Sequence, residues 1–214
     1  MITILIKTFL RPNVVKRLLA SIEKYYPDVK VIVLDDPDDM GVSEGRNRLV
    51  DMCETEYCLI LDDDCIITDK TDLYRAVKEL QEKDLDIIQF ATQNDYERDY
   101  QGIFKTEDGV VTYMKDGRDG LYDFCLNVFI ARTESLRRCR WNPKYKMGEH
   151  FGYFYTHRGK LKIGVNKENI IEHLHENNED YQPYRARALD YVREYMKENG
   201  LKRRIDLGGV IIDV

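Results

Sequence analysis

The segment YCLILDDDCIIT, residues 57–68, sets the organisation of this chain. Its apolar first half, 57–61, is typical of a strand buried on both faces of a parallel sheet. The strand runs directly into three consecutive aspartates, Asp62, Asp63 and Asp64. Adjacent carboxylates repel one another unless they are neutralised, and Mg²⁺, Mn²⁺ or Ca²⁺ does this through oxygen ligands. The segment therefore favours a metal site at a strand end, with a solvated acidic loop as the alternative.

The residues before this segment predict a parallel β-α-β-α-β unit. Apolar runs at 2–6 and 29–34 predict two further strands, and apolar residues at helical spacing predict a helix after each strand. Ser43 is the predicted N-cap of the second helix. Right-handed crossovers bring the carboxyl ends of parallel strands to one edge, where α/β sheets bind ligands. The polar residues expected at that edge are Thr8, Asp35, Asp36 and the three aspartates.

The second half of the chain has a less regular pattern. Asp108 and Gly109 form a turn signal between two short strand-like runs, which predicts a hairpin. Apolar runs predict one strand at 122–131 and two separate strands at 161–165 and 170–175. Apolar residues at helical spacing predict a single helix over 183–199. The apolar tail at 210–214 is either an edge strand or the mark of a cut from a longer protein.

Composition and charge exclude several classes of protein. The chain has 214 residues and a formal net charge of −6, so it lacks the basic field that attracts nucleic acid. Its five cysteines show neither a CxxC pair nor zinc-site spacing, which is typical of reduced thiols in a cytosolic protein. No apolar run is long enough to span a membrane, and the N-terminal segment reads as a strand rather than a signal peptide. We therefore expect a cytoplasmic protein.

The loop after the first strand lacks one feature that many nucleotide-binding folds have. KTFLRP, residues 7–12, is not a glycine-rich phosphate loop of the Walker or dinucleotide type. A protein that holds a diphosphate without such a loop can use a metal ion instead. This links the missing loop to the three aspartates, and makes a nucleotide the expected ligand at the sheet edge.

Five segments together resemble a known family. They are KTFLRP (7–12), GVSEGRN (41–47), LILDDDC (59–65), GEH (148–150) and IIEHLH (170–175). In these segments and in their order, the chain resembles inverting glycosyltransferases of the GT-A fold, of the large family-2 type. It is most similar to their β-1,4-N-acetylgalactosaminyltransferase branch. Each segment alone is a weak signal, but the set is specific for the superfamily and much less specific for the sugar.

The resemblance implies both a fold and a reaction. The fold would be a single Rossmann-like α/β GT-A domain with a mostly parallel central sheet flanked by helices. Residues 1–91 would bind the nucleotide sugar, residues 92–200 would bind the acceptor, and 201–214 would form a C-terminal tail. The reaction would move a hexose from a UDP-sugar to a hydroxyl of a glycan or glycoconjugate, with inversion and with Mn²⁺ or Mg²⁺. A cytosolic enzyme of bacterial or viral origin, or a domain cut from a longer chain, would suit the absence of a signal or anchor.

The resemblance also implies roles for residues of the donor site. Arg46 would pair with an aspartate of the triple-aspartate segment, although an ordinary helix arginine is the alternative interpretation. A core aromatic is the alternative for Phe9. The implied nucleotide-binding residues are Thr8, Phe9 and Arg11 around the uridine, Asp35 or Asp36 for the uracil or ribose, Arg46 and Asp63 near the nucleotide, and Asp62 for the ribose.

The same resemblance implies metal ligands. Asp64 would bind the metal that bridges the two donor phosphates, with Asp62 close by. His173 and His175 lie two positions apart in an alternating segment, so they share a face. The family places a histidine at the position of His173, which ranks it above His175.

An inverting transfer needs a base for the acceptor hydroxyl. In related enzymes an acidic pair after a glycine lies beside the acceptor, and here that pair is Glu149 and His150. We favour Glu149 because a carboxylate suits the family role. His150 is the rival, since it occupies a position that aspartate often holds. A helix N-terminal acid stabilised by the helix dipole is the alternative interpretation of Glu149.

Three other functions remain open from the residues alone. A sugar-nucleotide pyrophosphorylase also uses a metal, but it usually has a basic, glycine-rich loop after its first strand. A phosphatase with an aspartate nucleophile has its aspartates after the first strand, whereas here they follow the third. A non-catalytic domain that binds a nucleotide or carbohydrate would bind UDP without turnover.

Overall fold

The computed structural model describes residues 1–36, 38–94, 97, 99–176 and 179–214. Within these residues the strands are β1 (Ile2–Thr8), β2 (Lys30–Asp35), β3 (Tyr57–Asp62), β4 (Cys65–Ile66), β5 (Ile87–Thr92), β6 (Ile103–Glu107), β7 (Val110–Met114), β8 (Phe129–Arg132), β9 (Ile163–His173), β10 (Arg203–Ile205) and β11 (Ile211–Asp213). The helices are α1 (Pro12–Tyr25), α2 (Val42–Met52), α3 (Leu73–Glu82), α4 (Thr133–Arg138), α5 (Glu149–His157), α6 (Gln182–Ala186) and α7 (Ala188–Glu198).

The larger sheet of the described residues has the strand order β2-β1-β3-β8-β5-β9-β4. β1 pairs in parallel with β2 and with β3, which confirms the predicted β-α-β-α-β unit. β8 runs antiparallel to both of its neighbours, β3 and β5, and β4 runs antiparallel to β9. The sheet is therefore mixed, and the expectation of a mostly parallel sheet is not confirmed. The sheet is not mostly parallel because β8 lies between β3 and β5 and runs in the opposite direction to both.

A second sheet has the order β11-β10-β7-β6 within the described residues. β6 and β7 form the predicted antiparallel hairpin, and both turn residues, Asp108 and Gly109, have positive φ angles of 50° and 81°. β10 joins β7 in parallel, and β11 pairs with β10 at the edge. The C-terminal residues thus complete this sheet, as the apolar tail indicated.

The predicted strand at 122–131 is wrong over most of its length, because only its end is part of β8. In the residues before β8, hydrogen bonds that involve side chains replace the regular backbone pairing with a neighbouring strand. The backbone N–H of Leu126 donates to Gln89 Oε1 at 2.7 Å, and Asp123 Oδ2 accepts from the backbone N–H of Phe104 at 2.9 Å. An apolar run cannot reveal such bonds, since they depend on residues far away in the chain.

Three other local predictions need correction. The two strands at 161–165 and 170–175 are one strand, β9, which bulges where Asn166 pairs with Phe90 and Ile170 pairs with Ala91. The predicted helix at 183–199 is two helices, α6 and α7, with a turn at Arg187 between them. At this turn the backbone N–H of Arg187 donates to the carbonyl oxygen of Tyr184, three residues earlier. Gly41, not Ser43, is the N-cap of α2. The Ser43 hydroxyl instead donates to the carbonyl oxygen of Tyr145 at 2.6 Å.

Two apolar layers enclose the larger sheet. Ile4 and Ile6 of β1 pack in one layer with residues of α1 and α3, while Leu5 packs in the other layer with residues of α2, α5 and α7. This alternation is that of a strand buried on both faces. This packing holds β1 and β3 between helices on both faces of the sheet. The polar residues at the carboxyl ends of the two strands therefore meet at one edge of the sheet. All five cysteines are buried as thiols.

Candidate functional site

A cleft of about 250 Å³ opens at the carboxyl ends of β1 and β3. α2 and α5 form one wall, and the end of β9 forms another. Predicted site residues from five separate parts of the chain line this cleft, which is the arrangement expected where α/β sheets bind ligands. They are Phe9, Arg11, Arg46, Asp62, Asp63, Asp64, Glu149, His150 and His173.

Three predicted nucleotide residues lie beside the cleft rather than on its wall. Thr8, Asp35 and Asp36 line a neighbouring cavity of about 320 Å³. Asp35 is exposed, but Asp36 is fully buried. Asp36 lies 3.0 Å from Lys7 Nζ and accepts from the backbone N–H groups of Met40 and Gly41. Burial acts to raise the pKa of Asp36, but the backbone N–H donors and Lys7 outweigh it and lower that pKa. Its carboxylate thus anchors the loop before α2.

Asp63 points inward, toward β1 and the loop that follows. Its carboxylate accepts from Thr8 Oγ1 at 2.7 Å and from Arg11 Nε at 3.3 Å, and the terminal guanidinium nitrogen of Arg11 also pairs with it. Burial raises the pKa of Asp63 to about 6, although Arg11 and Thr8 act in the opposite direction. The Asp63 carboxylate thus ties the triple-aspartate segment to the loop after β1.

Asp64 faces His173 at the end of β9. Its Oδ2 accepts from Arg11 at 3.0 Å, whereas its Oδ1, among the described residues, has no hydrogen-bond partner. That oxygen lies 3.2 Å from Nε2 of His173. Burial acts to raise the pKa of Asp64, but His173 and Arg11 outweigh it and hold that pKa well below its usual range. Asp64 and His173, which are far apart in the sequence, therefore form a pair of possible metal ligands.

Glu97 is a site residue that the sequence did not indicate. It is 8% exposed and lies 2.9 Å from His173 Nδ1 and 2.9 Å from His175 Nε2. Burial acts to lower the pKa of His173, but Asp64 and Glu97 outweigh it and raise that pKa to about 10. Glu97, His173 and His175 form a cluster whose donor types could hold a metal ion. No motif surrounds Glu97, so only the tertiary fold reveals it.

Arg46 connects the aspartates to α5. Its guanidinium donates to Asp62 Oδ1 at 2.7 Å and pairs with Glu149 Oε1. Asn127 donates to the same Glu149 oxygen at 3.2 Å. Burial acts to lower the pKa of Arg46, but Glu149 and Asp62 outweigh it and raise that pKa. The two donors hold the Glu149 carboxylate at the wall of the cleft.

His150 is held differently from its neighbour Glu149. Its Nε2 lies 2.5 Å from the carbonyl oxygen of Cys125, and its ring packs against Tyr100 and Phe154. Since a carbonyl oxygen only accepts, Nε2 carries the hydrogen and Nδ1 is left as the acceptor nitrogen. Burial lowers the pKa of His150, so its ring is neutral at neutral pH.

Within the described ranges, no helix has the length and apolar character needed to cross a membrane.

Comparisons with known proteins give one matching family model and several relatives named as glycosyltransferases, and these relatives agree with the resemblance seen in the sequence. The family model described as Poxvirus P35 protein matches residues 46–207. Beta-1,4 N-acetylgalactosaminyltransferase 2 of Mus musculus is 33% identical in an alignment of length 201. The match covers 81% of this chain and 39% of that protein. Beta-1,4 N-acetylgalactosaminyltransferase 1 of Homo sapiens is 26% identical, covering 90% of this chain and 42% of that protein. The chain thus spans about two-fifths of the length of these relatives.

Solved structures show the same fold at low sequence identity. S. aureus TarS 1-349 in complex with UDP-GlcNAc has a TM-score of 0.64 at 15% identity, covering 91% of this chain and 65% of that one. The mannosyltransferase PcManGT from Pyrobaculum calidifontis, in complex with GDP-Man and Mn²⁺, has a TM-score of 0.63 at 11% identity, covering 92% and 63%. These likenesses confirm an α/β fold of the glycosyltransferase type. The chain therefore belongs to the Poxvirus P35 protein family and is related to the GT-A-like glycosyltransferases.

Proposed function

We propose that this chain is a metal-dependent glycosyltransferase that moves a hexose from a UDP-sugar to a hydroxyl of a glycan or glycoconjugate, with inversion. The observation that carries the proposal is the single cleft, which gathers the aspartates after β3, two buried arginines, a histidine of β9 and an acid of α5. The relatives named as N-acetylgalactosaminyltransferases and the complex of TarS with UDP-GlcNAc support it.

The residues around Asp64 fit a divalent cation. Its Oδ1 and Nε2 of His173 lie 3.2 Å apart, and that oxygen has no other polar contact among the described residues. A carboxylate with an imidazole suits Mn²⁺ better than Mg²⁺, which prefers oxygen ligands. A cation held there would stabilise the charge that develops on the departing UDP. Asp62, partly exposed at the cleft, is a further candidate ligand. His175 ranks below His173, because its Nε2 already lies 2.9 Å from the Glu97 carboxylate.

The nucleotide would lie along the ends of β1 and β2. Phe9 packs against Tyr184, with ring centroids 4.8 Å apart, and offers an aromatic edge to the uracil. Asp35 is the better candidate than Asp36 for the uracil or ribose, because Asp35 is exposed while Asp36 is buried against Lys7. Thr8 and Arg11, which both donate to Asp63, would form the floor beneath the nucleotide with it. Asp62 and Arg46, on the wall of the cleft, would face the ribose.

Glu149 is our proposed base, and it would take the proton of the acceptor hydroxyl as that oxygen attacks the anomeric carbon. Arg46 and Asn127 fix its carboxylate at the cleft wall. His150 is the second candidate, because its ring is neutral and its Nδ1 is an acceptor. Replacing Glu149 and His150 by glutamine in turn distinguishes the two candidates, because only replacement of the base should abolish proton removal and therefore transfer.

A cavity of about 320 Å³ adjoins the cleft and is our proposed acceptor site. It shares five lining residues with the cleft, which are Asp62, Asn127, Gly148, His150 and His173. An acceptor bound there would place its hydroxyl between the donor and the N-terminal end of α5, where Glu149 lies. The remaining walls are mainly apolar or aromatic and include Tyr100, Leu126, Val128, Phe151 and Val192.

The proposal is tested by incubating the purified chain with each of several UDP-sugars, Mn²⁺ and a mixture of glycan acceptors. We expect UDP release and a glycosylated product with one donor, and loss of both with Asp64→Ala. Full activity of Asp64→Ala would contradict the proposal. Consumption of UTP and a sugar 1-phosphate would indicate a pyrophosphorylase, and UDP binding without turnover would indicate a binding domain.

A further inference from the structure

Glu97 makes contacts that its place in the chain does not explain. It lies between β5 and β6, 76 positions before His173, yet both of its oxygens lie near Nδ1 of that ring, at 2.9 and 3.0 Å. The same carboxylate lies 2.9 Å from Nε2 of His175. At 8% exposure, Glu97 is a buried acid whose described polar contacts include two imidazoles.

The chemistry of these contacts fixes the hydrogens on the His173 ring. An ionised carboxylate only accepts, so the ring nitrogen that faces Glu97 carries a hydrogen. The same rule holds at Asp64, whose Oδ1 lies 3.2 Å from Nε2, so without a cation this nitrogen carries a hydrogen as well. A cation bound between the two would displace that hydrogen and leave Nδ1–H on Glu97, because an imidazole binds metal in its neutral form. The distance between Asp64 Oδ1 and His173 Nε2 is close to the separation of adjacent ligands around one cation, about 3 Å for bonds of about 2.1 Å.

We propose that Glu97 is the positioning residue of the cation site: it holds His173 by Nδ1–H so that Nε2 points at Asp64. The inference rests on the proposed metal-dependent function and goes beyond it by assigning Glu97. A carboxylate that accepts from the far nitrogen of a metal-binding histidine fixes the ring and makes it a stronger ligand.

The surroundings hold Glu97 and His173 in this arrangement. Gln93 Oε1 accepts from the backbone N–H of His173 at 2.8 Å, and Gln93 Nε2 donates to the His173 carbonyl at 2.9 Å. His175 has a left-handed backbone, with φ 51°, which brings its ring to 4.0 Å from the His173 ring. His175 thus lies beside His173 and approaches the same Glu97 oxygen, Oε1, at 2.9 Å.

The experiment measures Mn²⁺ affinity by the electron paramagnetic resonance signal of free Mn²⁺, with and without UDP. We expect Glu97→Ala to weaken binding about 10–100-fold, Glu97→Gln to weaken it less, and His175→Ala to change it by less than about threefold. His173→Ala and Asp64→Asn remove ligands and should weaken binding further. Circular dichroism and the thermal midpoint confirm that each variant is folded.

A spectroscopic signature separates a positioning residue from a ligand. Spin-echo modulation of bound Mn²⁺ should show one imidazole nitrogen in the wild type and the same one in His175→Ala. Two nitrogens, or loss of binding in His175→Ala, would mean that Glu97, His173 and His175 are joint ligands, which overturns the inference. Unchanged affinity in Glu97→Ala would also overturn it but would leave the proposed function standing. No Mn²⁺ binding by the wild type, even with UDP, would overturn both.

Discussion

Arg46 of α2 and Glu149 of α5 are 103 positions apart in the chain and form an ion pair at the wall of the cleft. Their side chains are only 4% and 8% exposed. Arg46 also reaches Asp62 at 2.7 Å, so one guanidinium joins the strand that carries the aspartates to the helix that carries the proposed base. Removal of one partner of a buried pair leaves the other charge without compensation.

We therefore expect Arg46→Met to lower the free energy of unfolding by about 3–5 kcal/mol, as measured by urea denaturation. The double variant Arg46→Met/Glu149→Gln should recover part of that loss, because it no longer buries an unpaired carboxylate. A loss below about 1 kcal/mol in the single variant, as for an exposed pair, would show that the contact is not formed in solution.

Glu149→Gln should lower kcat by about 100-fold or more if Glu149 is the base, because glutamine cannot take the acceptor proton. His150→Gln should lower kcat much less, since glutamine can still donate to the Cys125 carbonyl. Initial rates at saturating donor test this, with UDP binding as the control for an intact donor site. The reverse ranking of the two variants would assign the base to His150.

Gly148, at the start of α5, should not tolerate a side chain. Its φ is 69°, and an added Cβ would lie 2.5 Å from the carbonyl oxygen of Ala188. Gly159→Ala is the matched control, because Gly159 has φ 73° with nothing within 4 Å of the added Cβ. The control should lose about 1–2 kcal/mol from backbone strain. Gly148→Ala should lower the free energy of unfolding by about 1–3 kcal/mol more than the control, because the added Cβ overpacks this site, and it should also lose transfer activity. Equal losses of stability in the two variants, measured by urea unfolding, would refute this.

Acid should weaken the fold partly through His150. Burial lowers the pKa of its ring in the folded protein from the ordinary value of 6.5. A lowered pKa gives stability that is present above pH 6.5 and is lost as the pH falls through the folded-state value. The free energy of unfolding of His150→Gln should therefore fall less than that of the wild type between about pH 7.5 and about pH 5.5. Parallel falls, measured in urea with a chelator present, would contradict this.

The sequence predicted those parts of the fold that depend on local pattern. The strands around Leu5 and Ile60 are buried on both faces and read as continuous apolar runs, so their ends, and the aspartates after them, could be placed in advance. The hairpin turn at Asp108 and Gly109 needs positive φ angles, which that residue pair supplies.

Other features depend on residues that meet only in the folded chain. The direction of β8 depends on which strands it lies between, which an apolar run does not encode. Ser43 has the residue type of a helix cap, but a carbonyl group 102 positions away takes its hydroxyl. Glu97 lies in no motif, and the two histidines that identify it follow more than 70 positions later.

The most direct test of the central claim is the thermal midpoint of the wild-type chain with UDP and a set of UDP-sugars, each with and without Mn²⁺. A ligand that binds only the folded state raises the midpoint by mass action. We predict that UDP raises it only when Mn²⁺ is present, that one UDP-sugar raises it most, and that Asp64→Asn abolishes the Mn²⁺-dependent part. The absence of any shift with every uridine nucleotide, with or without Mn²⁺, would contradict the account.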